Sequence, residues 1–330
     1  MSACASAAKA AAPDGGTSEK YSETMQKKMG SSLTYKHEDG MNYAKCFDRI
    51  IVGSCLQTAA DVDTLKKEGV GIVFCLQEDK DLAHFQIDLA PIQERAKEVD
   101  MLHVRFPIKD FDPLSLRKHV LSAVRRLNAE MSARPKELVY IHCTAGLGRA
   151  PATALAYMFL MEGMDLDEAY AQLYKVRTCH PQLNMVRAAA CDMLSGSMGS
   201  GQLHLSWKLP KAKVVEVAGL DVGWHERIPL VKNEATGEFV LDRDTPPGIY
   251  QYKFVVDGEW MANPDLPSVD DNGNKNNIAR VNPAPGSADS ERRQRMMKKG
   301  GRPTDEEWKQ LQSMLAVPAA FETAKGGYVS

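Results

Sequence analysis

Residues 139–152 read VYIHCTAGLGRAPA. The apolar run into His142 has the composition of a buried strand, and it delivers Cys143 at that strand's carboxyl end. Ala150-Pro151 opens the next helix, with proline in the first turn where its missing N–H costs nothing. Between strand and helix, Gly146 and Gly148 let the backbone of Thr144, Ala145, Gly146, Leu147 and Gly148 curl its N–H groups around a small anion. Such a nest at a helix N-terminus binds a phosphate dianion and favours a thiolate beside it. Cys143 is therefore expected to be ionised near neutral pH and to act as a nucleophile. Arg149, six residues on, has a planar fork suited to two phosphate oxygens. A cysteine with a later arginine is a weak signal alone, since a buried cysteine is usually a small core residue. Strand, His-Cys, two glycines, arginine and helix start together are a strong one. The nucleotide-binding loop GxxxxGK[ST] is excluded, because no Lys-Ser or Lys-Thr follows the glycines.

Outward from this loop, residues 42–194 alternate short β-like runs (RIIVGSC, GVGIVFCL, MLHVRFPI, ELVYIH) with helix-period segments such as LRKHVLSAVRRLNAEM. That order predicts an α/β domain with a largely parallel sheet flanked by helices. SGSMGSGQ, residues 195–202, reads as a small-residue linker, and residues 203–282 then read as strands with DG and PPG turns, an all-β sandwich. Residues 283–303 are polar and rich in proline, glycine and charge, and are expected as a second linker. Thr304 and Glu307 form a capping box ahead of Trp308, Leu311 and Leu315, which share one helical face. A lone helix so short is marginal in water, so it is expected to dock on the α/β domain.

The 330 residues are long enough for two cores. Forty-one basic against 43 acidic side chains exclude a long-range field for nucleic acid or an anionic membrane, so anion recognition must be local. Seven scattered cysteines without CxxC spacing argue against a disulfide scaffold or a zinc site. Residues 1–20 are rich in alanine and serine, compatible with the remnant of a transit peptide or with a disordered tail.

Thiolate attack on a phosphate monoester expels an alkoxide, which leaves faster when an acid protonates it. PIKDFDPLSLR, residues 107–117, offers two carboxyls. Asp112 precedes Pro113 at a helix start and has a structural reason to be there as an N-cap; Asp110 has none, which makes it the expected acid with Asp112 in reserve. No metal or cofactor is needed, because thiolate, Arg149 and backbone dipoles supply the electrostatics.

HCTAGLGRAPA with DFDP upstream resembles the Cys-dependent dual-specificity phosphatases. With YSETMQKKMGSSLTYKHEDGMNY, IVGSCLQT and FCLQEDKDL it is similar in detail to plant starch-excess type glucan phosphatases, from about Tyr21 onward. The resemblance implies a phosphorylated α-glucan substrate, a plastid location and Asp110 as the acid; a cytosolic glucan store would use the same chemistry. It also implies an aromatic channel at Tyr35, Phe85 and Phe111, with His84 where relatives often carry another aromatic.

In the β unit, Trp224 and Trp260 sit beside turn signals and read equally as core or as sugar platforms. With Lys253 and NKNNIARV they resemble carbohydrate-binding module family 48, which implies glucan contacts at Trp224, Lys253, Trp260 and Asn277. Cys75 ends the strand GVGIVFC, and its position suggests a reversible disulfide with Cys143 that would protect the active thiol from overoxidation. A monomer is expected. A protein phosphatase tethered to glucan and a non-catalytic glucan-binding scaffold remain alternatives, and the preference between C3 and C6 glucosyl phosphate stays open.

Overall fold

The computed structural model describes residues 15–29, 32–271, 274–283 and 285–316. Strands β1 (Tyr43–Lys45), β2 (Ile50–Gly53), β3 (Val70–Cys75), β4 (Leu102–Arg105) and β5 (Leu138–His142) form one sheet in the order β1-β2-β5-β3-β4. Only the β1–β2 pair is antiparallel, so the loops after β3, β4 and β5 open at the same end. Every residue of β3 is buried, as a central strand covered on both faces requires. Helices α2 (Ala59–Lys67) and α4 (Leu89–Glu98) cover one face; α5 (Pro113–Ala133), α6 (Arg149–Leu160) and α8 (Leu183–Ser195) cover the other. The short α3 (Asp79–His84) follows β3, and α7 (Leu166–Val176) joins α6 to α8.

The β unit is two antiparallel sheets. One holds β6 (Gly201–Lys208), β10 (Glu238–Thr245) and β9 (Val231–Asn233). The other runs β13 (Ser268–Asp271), β14 (Asn274–Val281), β11 (Gly248–Val256), β7 (Val215–Gly219) and β8 (Gly223–Pro229), with β12 (Glu259–Met261) pairing β11. Phe239, Phe254, Tyr252 and Val217 fill the space between them.

Three boundaries differ from the expected ones. Residues 15–20, taken as part of a structureless leader, belong to helix α1 (Gly15–Met29), because Ser18, Tyr21, Ser22 and Met25 recur at helical spacing and line a buried stripe. Two of those are serines, so no apolar period announces it; residues 1–14 lie outside the described residues. The linker 195–202 narrows at both ends, since Ser195 ends α8 with Gly196 as a left-handed cap (φ 72°), and β6 has already begun at Gly201. The stretch 283–303 contains helix α9 (Ala288–Met296). Ser287 caps it, acids occupy its first turn and arginines its last, so the backbone dipole and ion pairs do what an apolar stripe usually does. The last helix, α10 (Asp305–Leu315), lies against α5, α6 and α8: the Trp308 indole N–H donates to the Leu160 carbonyl at 3.2 Å, and Leu311 and Leu315 are fully buried.

The two units meet over a buried guanidinium. Arg117 on α5 makes a two-pronged contact with Asp192 on α8 (2.6 and 2.7 Å) and donates to the Pro247 carbonyl (2.9 Å) and the Tyr250 hydroxyl (3.0 Å) of the β unit. Arg293 on α9 joins Asp192 from the other side at 2.8 Å. Removing one partner of such a pair leaves the rest buried and uncompensated. We expect Arg117→Ala to lower stability by about 3–5 kcal/mol, read as a fall in the urea midpoint; an unchanged midpoint would show that the junction does not depend on this contact.

Candidate active site

The loop after β5 is held open from outside. The Thr144 carbonyl accepts from the Cys55 N–H (2.9 Å), and the Leu147 carbonyl from the His180 N–H (2.7 Å). The Ala145 and Gly146 carbonyls both accept from the Arg177 guanidinium (3.0 and 2.9 Å), which is braced in turn by the Asn42 side chain. In a planar trans peptide the N–H points opposite to the preceding carbonyl. With four carbonyls turned outward, the N–H groups of Ala145, Gly146, Leu147 and Gly148 face the concave side, which makes an anion cradle. Gly146 has φ +68°, and a Cβ there would stand 2.3 Å from the Gly53 carbonyl oxygen. The cradle therefore needs glycine for its backbone angle and for its closeness to β2.

Cys143 enters the loop buried, with its backbone carbonyl 3.1 Å from His142 Nδ1. Arg149, the first residue of α6, is 4% exposed. One terminal nitrogen reaches Asp81 on α3 (2.6 Å) and the carbonyls of Ile108 (2.9 Å) and Leu76 (3.3 Å). The other reaches Thr144 Oγ1 (3.2 Å) and Asp110 (2.8 Å). Its Nε is buried without a partner, a donor available to an incoming anion. The loops after β3, β4 and β5 thus converge on one guanidinium.

Asp110 lies on the loop after β4. Burial pushes its carboxyl above the usual carboxylate range, against the lowering pull of Arg149. Asp112, two residues on, is occupied as the cap of α5, accepting from the Ser115 N–H at 2.8 Å and pairing with Lys109 at 2.9 Å. Between them Phe111 has φ +58°, which for a bulky residue is strained.

Two residues of this constellation are not among the expected site residues, although both fall in stretches that carry the family resemblance. The Tyr21 hydroxyl, from α1, donates to Asp110 Oδ2 at 2.9 Å. Asp81 is the second carboxylate on Arg149 and also closes the capping box of α3. An acid three residues after Glu78 at a helix start was the available hint for Asp81; nothing local marked Tyr21.

The three aromatics expected in a channel differ in exposure. Tyr35 and Phe85 are only 3% and 2% exposed and pack in a cluster with Tyr21. Tyr35 is tied by its hydroxyl to His37 Nδ1 (3.0 Å). The accessible rim beside Asp110 is half-buried Phe111 and exposed His84.

In the β unit, Trp224 and Trp260 stand 6.4 Å apart between ring centroids, and Trp260 is 42% exposed. Lys253 is half-buried on the same outer face of β11 as Val255, which pairs with Trp260, and Arg227 lies over the Trp260 ring at 5.6 Å. Helix α1 also packs against β8, the strand that carries Trp224. Asn277 does not join this face. It is fully buried, accepting from the Asn263 N–H (2.8 Å) and donating to the Asn263 carbonyl (2.8 Å), so its amide is consumed in holding the turn before β13.

Cys75 is a free buried thiol, as is Cys143. Cys75 stands beside His142 in the β3–β5 register and its sulfur lies near the rings of His103 and His142. Cys143, the next residue along, packs with Ile141 and Phe74 on the opposite face. A bridge between the two thiols would need the start of the loop to be remodelled.

The dual specificity phosphatase catalytic domain family matches residues 54–188, and the glycogen recognition site of AMP-activated protein kinase matches residues 202–286. The chain is 44% identical over 267 residues to "Phosphoglucan phosphatase DSP4, amyloplastic" of Castanea sativa, covering 80% of this chain and 71% of that protein. It is 28% identical over 272 residues to "Phosphoglucan phosphatase LSF1, chloroplastic" of Arabidopsis thaliana, covering 80% of this chain and 45% of that protein. Among solved structures, the PTP-2 phosphatase of Cydia pomonella aligns with 44% of this chain and 86% of its own at 22% identity and a TM-score of 0.36.

The cradle geometry is directly testable. A side chain at position 146 must adopt the left-handed region, at a cost of at least about 1–2 kcal/mol, and must push Gly53 away. Gly146→Ala is expected to abolish phosphate binding in a calorimetric titration; binding equal to the parent's would show that the loop tolerates a Cβ.

Proposed function

This chain belongs to the phosphoglucan phosphatases, and from that premise we propose that it hydrolyses phosphate monoesters on starch-like α-glucan through a cysteinyl-phosphate intermediate. The observation that carries the reading is the loop whose carbonyls are turned outward around Cys143, with a buried guanidinium at its end and a buried carboxyl beside that guanidinium.

In the proposed reaction the phosphoryl group enters the cradle and Arg149 exchanges its contact with Asp110 for phosphate oxygens. Cys143 Sγ attacks phosphorus, the bond from phosphorus to the glucosyl oxygen breaks, and protonated Asp110 gives its proton to that oxygen. Asp110, now ionised, takes a proton from water as the water attacks the thiophosphate, which releases inorganic phosphate and restores the thiolate. Arg149 and the loop N–H groups stabilise the charge on the three equatorial oxygens throughout. Tyr21 is assigned the role of a positioning residue, holding the carboxyl of Asp110 when Arg149 turns away.

The glucan is assigned to the outer face carrying Trp224, Lys253 and Trp260, with Phe111 and His84 as the sugar rim at the catalytic loop. Binding at the β unit raises the local concentration of phosphate esters at the cradle. The amyloplastic and chloroplastic relatives support action in plastids, in starch breakdown.

A poor alkyl leaving group reports the acid. With its carboxyl raised by burial, Asp110 stays protonated to higher pH than an ordinary carboxyl, and activity should fall as pH rises through that raised value. Asp110→Asn should lower kcat/KM by about 10²–10⁴-fold and remove that alkaline limb. The Tyr21 hydroxyl favours the ionised carboxyl, so Tyr21→Phe should move the limb to higher pH. A limb that Asp110→Asn leaves in place would reassign the acid.

Substrate class is tested by phosphate release from phosphorylated amylopectin under reducing conditions, beside an aryl phosphate. Cys143→Ser should lose both activities, and Trp260→Ala should be impaired only on amylopectin. A parent that cleaves the aryl phosphate but leaves amylopectin intact would keep the loop chemistry and overturn the glucan assignment.

A further inference from the structure

Behind the phosphate loop, on the sheet face away from the Cys143 thiol, three side chains with metal-binding atoms converge. Cys75 ends β3, His142 stands beside it on β5, and His103 lies on β4, the edge strand, opposite Val73. Their ligand atoms all lie within 4.8 Å of one another. They come from three strands at wide sequence separation, which is why cysteine spacing alone argued against a zinc site.

The Cys75 thiol has one long contact, donating to Gln77 Oε1 at 4.0 Å, whereas one nitrogen of each imidazole has no partner. His142 Nδ1 faces the Cys143 carbonyl at 3.1 Å, so Nδ1 carries the proton and Nε2 presents a lone pair. That Nε2 is buried with no hydrogen-bond partner, and so is Nδ1 of His103. Buried polar atoms are nearly always satisfied, and two orphaned imidazole nitrogens beside one thiol therefore ask for an occupant. Burial holds His142 down to about 3 and His103 to about 4, so both rings are neutral, the form in which imidazole ligates. Burial pushes the Cys75 thiol up to about 11, against the lowering pull of the Gln77 backbone, Arg105 and Arg149, so an ion must displace the thiol proton to bind there; Arg105 is itself paired with Asp79 at 2.7 Å.

We propose that Cys75, His103 and His142 form a binding site for a divalent metal of the zinc class. One sulfur and two imidazole nitrogens suit such an ion, with water completing the tetrahedron. Zn–S and Zn–N bonds of about 2.3 and 2.0–2.1 Å require the donors to draw together by roughly an ångström. His103 is half-buried on an edge strand and gives the ion its way in. Binding forms the metal–sulfur bond and releases the Cys75 thiol proton to solvent. It fixes His142, and through Nδ1 the carbonyl of the nucleophile's own residue, and it withdraws Cys75 from any disulfide.

The test is a cobalt(II) titration of the full chain carrying Cys143→Ser, so that the active thiol cannot be a ligand. One equivalent should bind with a thiolate-to-cobalt charge-transfer band and tetrahedral d–d bands, and zinc should displace it. Cys75→Ser in that background should abolish the charge-transfer band. His103→Gln, on the edge strand and remote from the cradle, should weaken binding by more than about 10-fold, a cost that even an outer-sphere partner can carry. Absence of the band in Cys143→Ser, its persistence in Cys75→Ser, or unchanged affinity in folded His103→Gln would each overturn the site.

Discussion

The catalytic end of the molecule is organised around the burial of Arg149. A guanidinium this far from water survives only if its charge and its donors are met, and single partners do not suffice. Here Asp81 and Asp110 supply the charge, and the Leu76 and Ile108 carbonyls and the Thr144 hydroxyl take further donors. Those partners sit on the loops after β3, β4 and β5 and on helix α3, which follows β3. The requirement to satisfy one cation therefore fixes three loops that share no sequence proximity. It also sets the order of events on binding. A phosphoryl group brings negative charge to the place where Asp110 meets Arg149, and two anions cannot share that site cheaply, so the carboxyl already raised by burial is driven further toward its protonated form. Asp81, on the far side of the guanidinium, keeps Arg149 aimed while Asp110 changes partner.

A second buried guanidinium has the same logic at the junction between the units. Arg117 and Arg293 share Asp192, and Arg117 also takes the Pro247 carbonyl, so α5, α8, α9 and the β unit are tied by directional bonds rather than apolar contact alone. Directional bonds fix orientation, which matters when a ligand must span two surfaces. Helix α1 adds a further connection, since it reaches Asp110 through Tyr21 and lies against the strand of Trp224. The Trp224–Trp260 face and the cradle are thereby held in one frame, the condition that the proposed binding of one glucan at both places requires.

Much of this was legible in the sequence because the relevant constraints are local. The cradle is encoded in consecutive residues, and the α/β order, the sandwich and the cap of α10 follow from periodicity and turn chemistry. What escaped was non-local or carried by polar residues. Tyr21 reaches a carboxyl 89 positions away, and its helix hides its buried stripe behind serines. Helix α9 has Ser290 and Arg293 beside Met296 on its buried side, which no apolar period reports. Asn277 was misassigned because an asparagine on a strand gives no sign of whether its amide faces a ligand or its own neighbouring turn; here it is the turn, through Asn263. Tyr35 and Phe85 pose the same question, since aromatic identity alone does not tell an accessible wall from the buried packing in which they lie here.

The DFD segment shows how two identical residues acquire different roles. Asp112 must accept from the first turn of α5, and Pro113 fixes the chain's direction immediately after it. A regular backbone would carry Asp110 along the same course and leave its carboxyl without the guanidinium. The left-handed turn at Phe111 breaks that course and sends Asp110 toward Arg149, while the Phe111 N–H returns to Asp110 Oδ1 at 3.1 Å and holds the carboxyl in place. The strain of a bulky residue at positive φ, of the order of 1–3 kcal/mol, is offset by the cap, the ion pair and the packing of the Phe111 ring on Tyr21 at 5.5 Å. Relieving it with glycine would loosen the same turn that separates the two carboxyls, so the strained residue is the one that keeps the capping carboxyl apart from the one paired with Arg149.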